Sequence, residues 1–473
     1  MKQFNYAFLL SISLVAALGG LLFGYDWVVI GGAKPFYELY FGIANSPALQ
    51  GWAMSSALVG CMGGAVIAGK LADMHGRKPI LIISAILFSA SALGTGLSES
   101  FAAFVVWRII GGAGIGIAST ISPLYIAEIA PQKTRGLFVS INQFTLVIGI
   151  LAAQITNMLI TDAIPDGYTP EAILQSWNGQ NGWRWMFWAG LLPAVLFFIL
   201  MFLIPESPRY LASKGKYDRA QKTLSKIGGS VYAESELVQI KDSFITEDSG
   251  KSELKVLLDK RYLSILLIGI VLAAFQQWCG INIIFNYAQE IFISAGYGIN
   301  ELFMNIVITG TINLVFTIVA MGTVDKFGRK KLMLFGSGGL AVIYAVMGYF
   351  YYSQVTGLPL LLLVLLAIAI YAMSLAPIVW VILSEIFPNR IRGVAMSIST
   401  FALWIASALL VQTFPVLNEG LGTSGTFWVY GVICALGFLF VLKKLPETKN
   451  KSLEEIEQLM LKDKKNTNKN KSL

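Results

Sequence analysis

The sequence predicts an all-α membrane protein of twelve transmembrane helices in two pseudo-symmetric six-helix halves. A scarcity of charge, a set of long apolar runs and an internal duplication predict it. The 473 residues are 56% hydrophobic and only 13% charged, with a mean hydropathy of +0.67, whereas soluble domains carry about 25% charged residues. Charges that sparse cannot cover a globule of this size, so much of the exterior faces lipid. A soluble enzyme of two or three domains is excluded.

Runs of about 20 apolar residues, enough for an α-helix to cross about 30 Å of hydrocarbon, begin near Tyr6, Trp52, Ile80, Phe101, Leu137, Arg184, Tyr262, Leu302, Leu332, Leu360, Val394 and Phe427. The first is too long for a signal-peptide core and has no small-residue cleavage pattern, so it reads as a retained helix. Twelve is even, which puts both termini on one side. Lys70, Arg77, Lys78, Lys133, Arg135, Lys326, Arg329, Lys330, Lys331, Arg390 and Arg392 fall in loops that alternate to one side, the cytoplasmic one by the positive-inside rule. The opposite loops are expected to hold Glu38, Glu99, Asp162, Asp166, Glu171 and Glu419, with Lys34 as a basic exception.

The longest polar stretch separates six runs from six. The expected divisions are 1–204, a helical cytoplasmic linker 205–260, 261–445 and a tail 446–473. In the linker, Ser207-Pro208 reads as an N-cap with proline at the first helical position, and Leu237, Ile240 and Phe244 share a helix face. In the tail, Ser452-Leu-Glu-Glu455 reads as a capping box ahead of a disordered Lys/Asn segment facing solvent or anionic lipid.

The duplication is explicit. Asp73-Met-His-Gly-Arg77-Lys78 returns as Asp325-Lys-Phe-Gly-Arg329-Lys330. Glu128-Ile-Ala-Pro-Gln-Lys-Thr-Arg135-Gly returns as Glu385-Ile-Phe-Pro-Asn-Arg-Ile-Arg392-Gly, and Pro205-Glu206-Ser207 as Pro446-Glu447-Thr448. Three blocks in one order at similar spacing mean two homologous halves. Each block sets acids and arginines at a cytoplasmic helix mouth, where paired arginines are strongest. Asp73, Arg77, Glu128, Arg135, Glu206, Arg209, Asp325, Arg329, Glu385, Arg392 and Glu447 are therefore read as a gate that locks the inner ends when the site opens outward. The plainer alternative is topogenic loop charge.

Asp26 and Arg108 interrupt apolar runs, and a charge within a span is functional by default. Counting along the first and fourth helices puts both in the outer half, within reach of each other. A carboxylate that alternates between arginine contact and a drier state changes its proton affinity with conformation, which proton coupling requires; the alternative is a static pair holding two helices. Gln143, Gln276, Gln277, Asn282 and Asn313 add amides, and Trp380 and Trp404 add ring faces, a combination suited to a polyhydroxylated ligand or to interhelical hydrogen bonding. Gly19-Gly20-Leu-Leu-Phe23-Gly24 and Gly280 read as matching interruptions at a midplane site, Ala376-Pro377 as a bend, and Gly112-Ala-Gly114-Ile-Gly116 as close helix packing. Gly64-Ala-Val-Ile-Ala-Gly69-Lys70-Leu71 has the spacing of a phosphate loop but lacks the final Ser/Thr and lies in a membrane helix, so no nucleotide site is implied.

The single His75 and the odd set Cys61, Cys279 and Cys434 indicate neither a metal site nor a disulfide framework, and no cofactor is expected. The net charge of +8 sits between apolar runs rather than along a groove, so nucleic acid is not an expected partner.

With these motifs the chain resembles the sugar porters of the major facilitator superfamily, both proton symporters and facilitative transporters. The specific elements are Asp73-x-x-Gly-Arg-Lys and its repeat, Arg108-x-x-Gly-Gly, Pro-x-Tyr-x-x-Glu128, Pro205-Glu-Ser-Pro-Arg209, Gln276-Gln277-x-x-Gly280-x-Asn282, Trp380-x-x-x-Ser-Glu385-Ile-Phe-Pro and Pro446-Glu-Thr-Lys. The resemblance implies the major facilitator fold, sugar binding by Phe23, Gln143, Gln276, Gln277, Asn282, Asn313, Trp380 and Trp404, and a proton site at Asp26, an acid that facilitators of the family lack. Asn286, Leu403 and Ala376 depart from its pattern beside the pocket, so no particular sugar is carried over. The expectation is a monomeric proton-coupled monosaccharide importer of the bacterial inner membrane, its halves rocking around a midplane sugar. A facilitative uniporter and a transport-dead sensor are the alternatives, and no nucleophile–base pair points to an enzyme.

Overall fold

The computed structural model describes residues 4–131, 134–164, 169–246, 259–388, 391–449, 455–456 and 460. The chain divides into two compact units, Met1–Gly250 and Lys251–Leu473, and among the described residues the regular structure is helical throughout. The first unit holds α1 (Tyr6–Tyr40), α2 (Pro47–His75), α3 (Arg77–Gly96), α4 (Phe101–Ile129), α5 (Arg135–Ile160) and α6 (Asn178–Met201). The second holds α7 (Lys260–Trp278, resuming as Ile281–Asn286), α8 (Ile299–Phe327), α9 (Arg329–Tyr352) and α10 (Leu358–Met373, resuming as Leu375–Ile386). Its last helical stretch, Arg392–Lys444, turns at Gly422 (φ 67°), which separates α11 (392–421) from α12 (423–444). The twelve expected helices are present. Leu159, Leu192 and Leu203 are 75%, 80% and 75% exposed, as side chains facing lipid tails are: the chain is a multi-pass membrane protein.

The sequence sets several boundaries visibly. Ser46 and Ser100 cap α2 and α4, accepting from the N–H groups of Leu49 and Ala103, and Pro47 occupies a position where no N–H is needed. In the linker Ser207 caps Pro208–Ser213 by accepting from Tyr210 N, as expected. The next linker helix, Tyr217–Thr246, breaks at Gly228–Gly229 and buries Leu237; its Ile227 carbonyl accepts from Asn5 N at 2.8 Å, which ties the linker to the start of α1. The side chain of Phe244, the tail's capping serine and its Lys/Asn segment lie outside the described residues.

Glycines set the helix spacing. A methyl on Gly112 would overlap the carbonyl of Ala57, one on Gly116 that of Cys61, and one on Gly60 that of Ile109, so α2 and α4 touch backbone to backbone. That is the packing role expected of Gly112 to Gly116. The Gly64–Gly69 string lies within α2.

Two expectations are corrected. α1 runs unbroken through Gly19–Gly24. Gly20 and Gly24 instead admit the backbone of α5, and Thr145 Oγ1 and Asn157 Nδ2 donate to the carbonyls of Ala17 and Val29 at 2.7 and 3.1 Å. A helix interruption occurs only in the matching place of the second half, where Gly280 takes φ 84°, a conformation that excludes a side chain at little cost only for glycine. Lys34 and Glu38 are not in an outer loop: α1 extends to Tyr40, and the two pair at 2.8 Å, both buried, one turn apart. The bend in α10 centres on Ser374 (φ −128°, ψ −89°), because Pro377 has no N–H to give the carbonyl four residues back.

Candidate functional site

Asp26 on α1 and Arg108 on α4 meet inside the first unit. Arg108 Nη1 lies 2.8 Å from Asp26 Oδ1, and Nη2 donates to the Asp26 carbonyl at 3.4 Å. The arginine is 2% exposed, with its guanidinium carbon 5.7 Å from the centroid of Phe187, within cation–π range. The pairing is single-pronged: Asp26 Oδ2 and Arg108 Nε are both buried without a hydrogen-bond partner. A two-pronged pair would fill both carboxylate oxygens. Here one oxygen is held by the cation and the other is available to a proton.

The second unit gathers three of the candidate ligand residues around the break in α7. Gln276 Nε2 donates to the carbonyls of Leu375 and Ala376, at 3.2 and 3.1 Å, in the irregular turn of α10, and its Oε1 is buried and unpartnered. Asn282 Nδ2 donates to Gln277 Oε1 at 2.6 Å. Gly280 lies between them, where a side chain would meet the ring of Tyr430. Trp380 on α10 is 37% exposed, while Trp404 on α11 is buried. Asn313 on α8 is buried. Asn305, Thr309 and Thr317 stand at four-residue intervals from it and are buried too, a polar ladder along one face that sequence reading missed although its spacing was visible. Gln143 on α5 and Phe23 on α1, whose ring meets Trp27 edge-on at 5.8 Å, belong to the first unit.

The duplicated charges form two closed networks, each within its own unit. In the first, Arg77 reaches Glu128 with two nitrogens, at 3.0 and 2.8 Å, and Asp73 at 3.0 Å. Glu206 accepts from the backbone N–H groups of Arg77 and Lys78, at 3.0 and 3.2 Å, and so caps α3. Ser207 Oγ donates to Glu128, and Lys78 Nζ ends on the carbonyls of Phe202 and Ile204. Burial pushes the Glu206 carboxyl above its usual range, while the N–H groups of Ser207, Arg77 and Lys78 and the Arg77 charge pull it back.

The second network repeats the first. Arg329 reaches Glu385 at 3.2 and 3.0 Å, Glu447 accepts from the N–H groups of Arg329 and Lys330 at 2.9 and 3.2 Å, and Thr448 Oγ1 donates to Glu385 at 2.6 Å. Ser207 and Thr448 were not among the candidates, though the recurring Pro-Glu-Ser/Thr was the signal for them. Arg135 acts electrostatically on Tyr232 of the linker, whose hydroxyl burial holds above its usual range. Arg209 is exposed in the first turn of Pro208–Ser213. The side chains of Asp325 and Arg392 lie outside those described.

The glycine of each motif is fixed by this chemistry. Gly76 and Gly328 take φ 107° and 91°; a methyl on Gly76 would overlap Glu206 Oε2, and one on Gly328 would sit 2.8 Å from Glu447 Oε2. Gly76→Ala is therefore expected to cost at least about 1–3 kcal/mol from backbone strain alone and to lower the thermal midpoint of the detergent-solubilised protein. Gly63→Ala, where nothing lies within 4 Å, serves as the near-neutral comparison. Equal midpoints would remove the capping role given to Glu206.

Twelve helices in two duplicated sets, with a part-buried carboxylate–guanidinium pair in one unit and an amide cluster at a broken helix in the other, define a membrane transporter of two homologous halves. The chain belongs to the sugar (and other) transporter family, which it matches over residues 12–460. It is 40% identical over 462 residues to an arabinose-proton symporter of Bacillus subtilis, covering 98% of this chain and 97% of that one. It is 39% identical over 492 residues to a D-xylose-proton symporter of Escherichia coli, covering 97% and 96%. A solved structure of the Escherichia coli xylose transporter, in a partially occluded inward-open conformation, matches with a TM-score of 0.83 at 36% identity, over 94% of this chain and 100% of that chain.

Proposed function

We propose that the protein imports a monosaccharide, a pentose or hexose, together with a proton across the bacterial inner membrane by alternating access, with both termini cytoplasmic and the chain working as a monomer. The observation that carries this reading is the Asp26 carboxylate, with Oδ1 on Arg108 and Oδ2 buried and unpartnered. When Oδ2 is protonated, the carboxyl becomes neutral, its attraction for the guanidinium weakens, and the pair can part; releasing the proton restores the pair. Relatives named as pentose-proton symporters support the same coupling.

Sugar recognition is assigned to Phe23, Gln143, Gln276, Gln277, Asn282, Asn313, Trp380 and Trp404. The unpartnered Gln276 Oε1 is an acceptor awaiting a hydroxyl, and Gln277 and Asn282 orient each other. Gating is assigned to the networks of Asp73, Arg77, Glu128 and Glu206 and of Arg329, Glu385 and Glu447, which hold the inner helix ends of each unit in one arrangement that the transport cycle must release; Arg135, Arg209, Asp325 and Arg392 are assigned to the same gate from their place in the duplicated motifs alone.

Counterflow into liposomes preloaded with unlabelled pentoses, hexoses or disaccharides identifies the substrate and tests the site. A monosaccharide is expected to support exchange. Gln277→Ala is expected to raise the KM for it about tenfold, the worth of one hydrogen bond to a buried amide, with less effect on maximal rate. An unchanged KM would take Gln277 out of the site, and exchange of disaccharides alone would overturn the monosaccharide reading.

A further inference from the structure

Asp26 takes up a proton in the proposed cycle, and the first unit contains a place for the proton's carrier. Leu22, Tyr25, Asp26 and Val29 stand at i, i+3, i+4 and i+7 and so share one face of α1. With Phe88 and Ala92 of α3 and Phe187 and Gly190 of α6 they line a small, partly open pocket with room for about one water. The two lining residues with polar side chains are Asp26, with its carboxylate, and Tyr25, with its hydroxyl. The latter donates to the Met186 carbonyl at 2.9 Å and also hydrogen-bonds the Thr156 side chain, so Asp26 is the group that needs a donor. None of the residues assigned to the sugar lines the pocket; Phe23 and Trp27 occupy the neighbouring stripe of α1.

The buried Asp26 Oδ2, with no protein partner, needs a donor, since a charged oxygen in an apolar wall is costly to leave unsatisfied. The α3 and α6 walls offer only Phe, Ala and Gly side chains, so no protein group on that side can supply one. Water is the smallest molecule that can, and the pocket admits little else.

We propose that this pocket binds a single water that donates to Asp26 Oδ2 and delivers the transported proton to it, so that the proton reaches the carboxylate from among α1, α3 and α6, apart from the sugar. The inference rests on the proton role given to Asp26. The transfer is balanced: a hydronium in the pocket loses one O–H bond, Oδ2–H forms, and a neutral water and a neutral carboxyl remain. Arg108 is then the only charged member of its pair.

Ala92→Leu fills the pocket from α3, whereas Ala92→Ser keeps it open. In liposomes with an inward proton gradient, Ala92→Leu is expected to lower gradient-driven accumulation about tenfold or more, as loss of a proton relay does. Counterflow exchange should stay within about twofold, which also shows that the variant is folded, and Ala92→Ser should accumulate as the native protein does. Native accumulation by Ala92→Leu, with Asp26→Asn inactive in accumulation, overturns the pocket water alone. Native accumulation by both variants overturns the coupling role of Asp26, and the pocket water with it.

A second readout uses the native protein, in case Ala92→Leu does not fold. The infrared carbonyl band of protonated Asp26, identified by its loss in Asp26→Asn, is expected to shift promptly in D2O, because Oδ2–H exchanges through the pocket water. A band insensitive to D2O contradicts the water.

Discussion

Asp26→Asn is expected to abolish uphill sugar accumulation in liposomes bearing an inward proton gradient, while sugar exchange across the same membranes continues. Asparagine has the shape of a protonated aspartate, so the helix packing around Arg108 survives, but it can neither take nor release the proton. With one proton per sugar, each pH unit of gradient is worth about 1.4 kcal/mol, or up to about tenfold accumulation. The variant's ratio is expected to fall to about one at any gradient. Retained accumulation would show that the carboxylate is a structural partner of Arg108 and that another group carries the proton.

The second large effect is expected at Arg77. Arg77 makes two bonds to Glu128, one contact to Asp73 and one bond to the Ala72 carbonyl, and its own backbone N–H is capped by Glu206. Glu128 side-chain exposure is 6%, so removing the guanidinium leaves a buried carboxylate whose hydrogen-bond partner among the described residues is Ser207. Breaking such a pair from one side costs about 3–5 kcal/mol. Arg77→Ala is expected to lower the thermal midpoint sharply and to cut uptake to a few per cent, about the level at which a lost gate stops the cycle. Arg77→Lys is expected to recover only part of either quantity, because an ammonium cannot make the two-pronged bond. Arg77→Ala with Glu128→Ala should be less destabilised than the first change alone, since the orphaned charge is gone. Additive losses in that cycle would mean that the two residues act separately.

Much of this was legible in the amino-acid sequence. Asp26 and Arg108 betrayed themselves by interrupting apolar runs, and helix rise alone put them at matching depth. The recurring Asp-x-x-Gly-Arg-Lys, Glu128/Glu385 and Glu206/Glu447 gave the arginines and glutamates of both networks, because duplication prints each part twice. Their wiring was less legible. Glu206 bonds mainly to backbone N–H groups, which no residue letter records, Ser207 read as a capping residue, and Thr448 only as part of a repeated block. The glycines of α1 have the same letters as the one that breaks α7. Whether a glycine hinges a helix or admits a neighbour depends on what packs there: the α5 backbone at Gly24, the Tyr430 ring at Gly280. Lys34 and Glu38 were misplaced because hydropathy ends a helix at its first charges, whereas a pair one turn apart can stay helical and buried together. The ladder of Asn305, Thr309, Asn313 and Thr317 escaped because each residue is unremarkable alone and only the four-residue interval marks it.

The most direct test of proton-coupled transport is a pH electrode beside vesicles of purified protein, with sugar added outside to run inward down its own gradient and no proton gradient imposed. The structure predicts that the external medium turns alkaline as sugar enters, in step with uptake, and that Asp26→Asn moves sugar without the pH change. Sugar entry by the native protein with no alkalinisation would contradict it and leave a passive carrier.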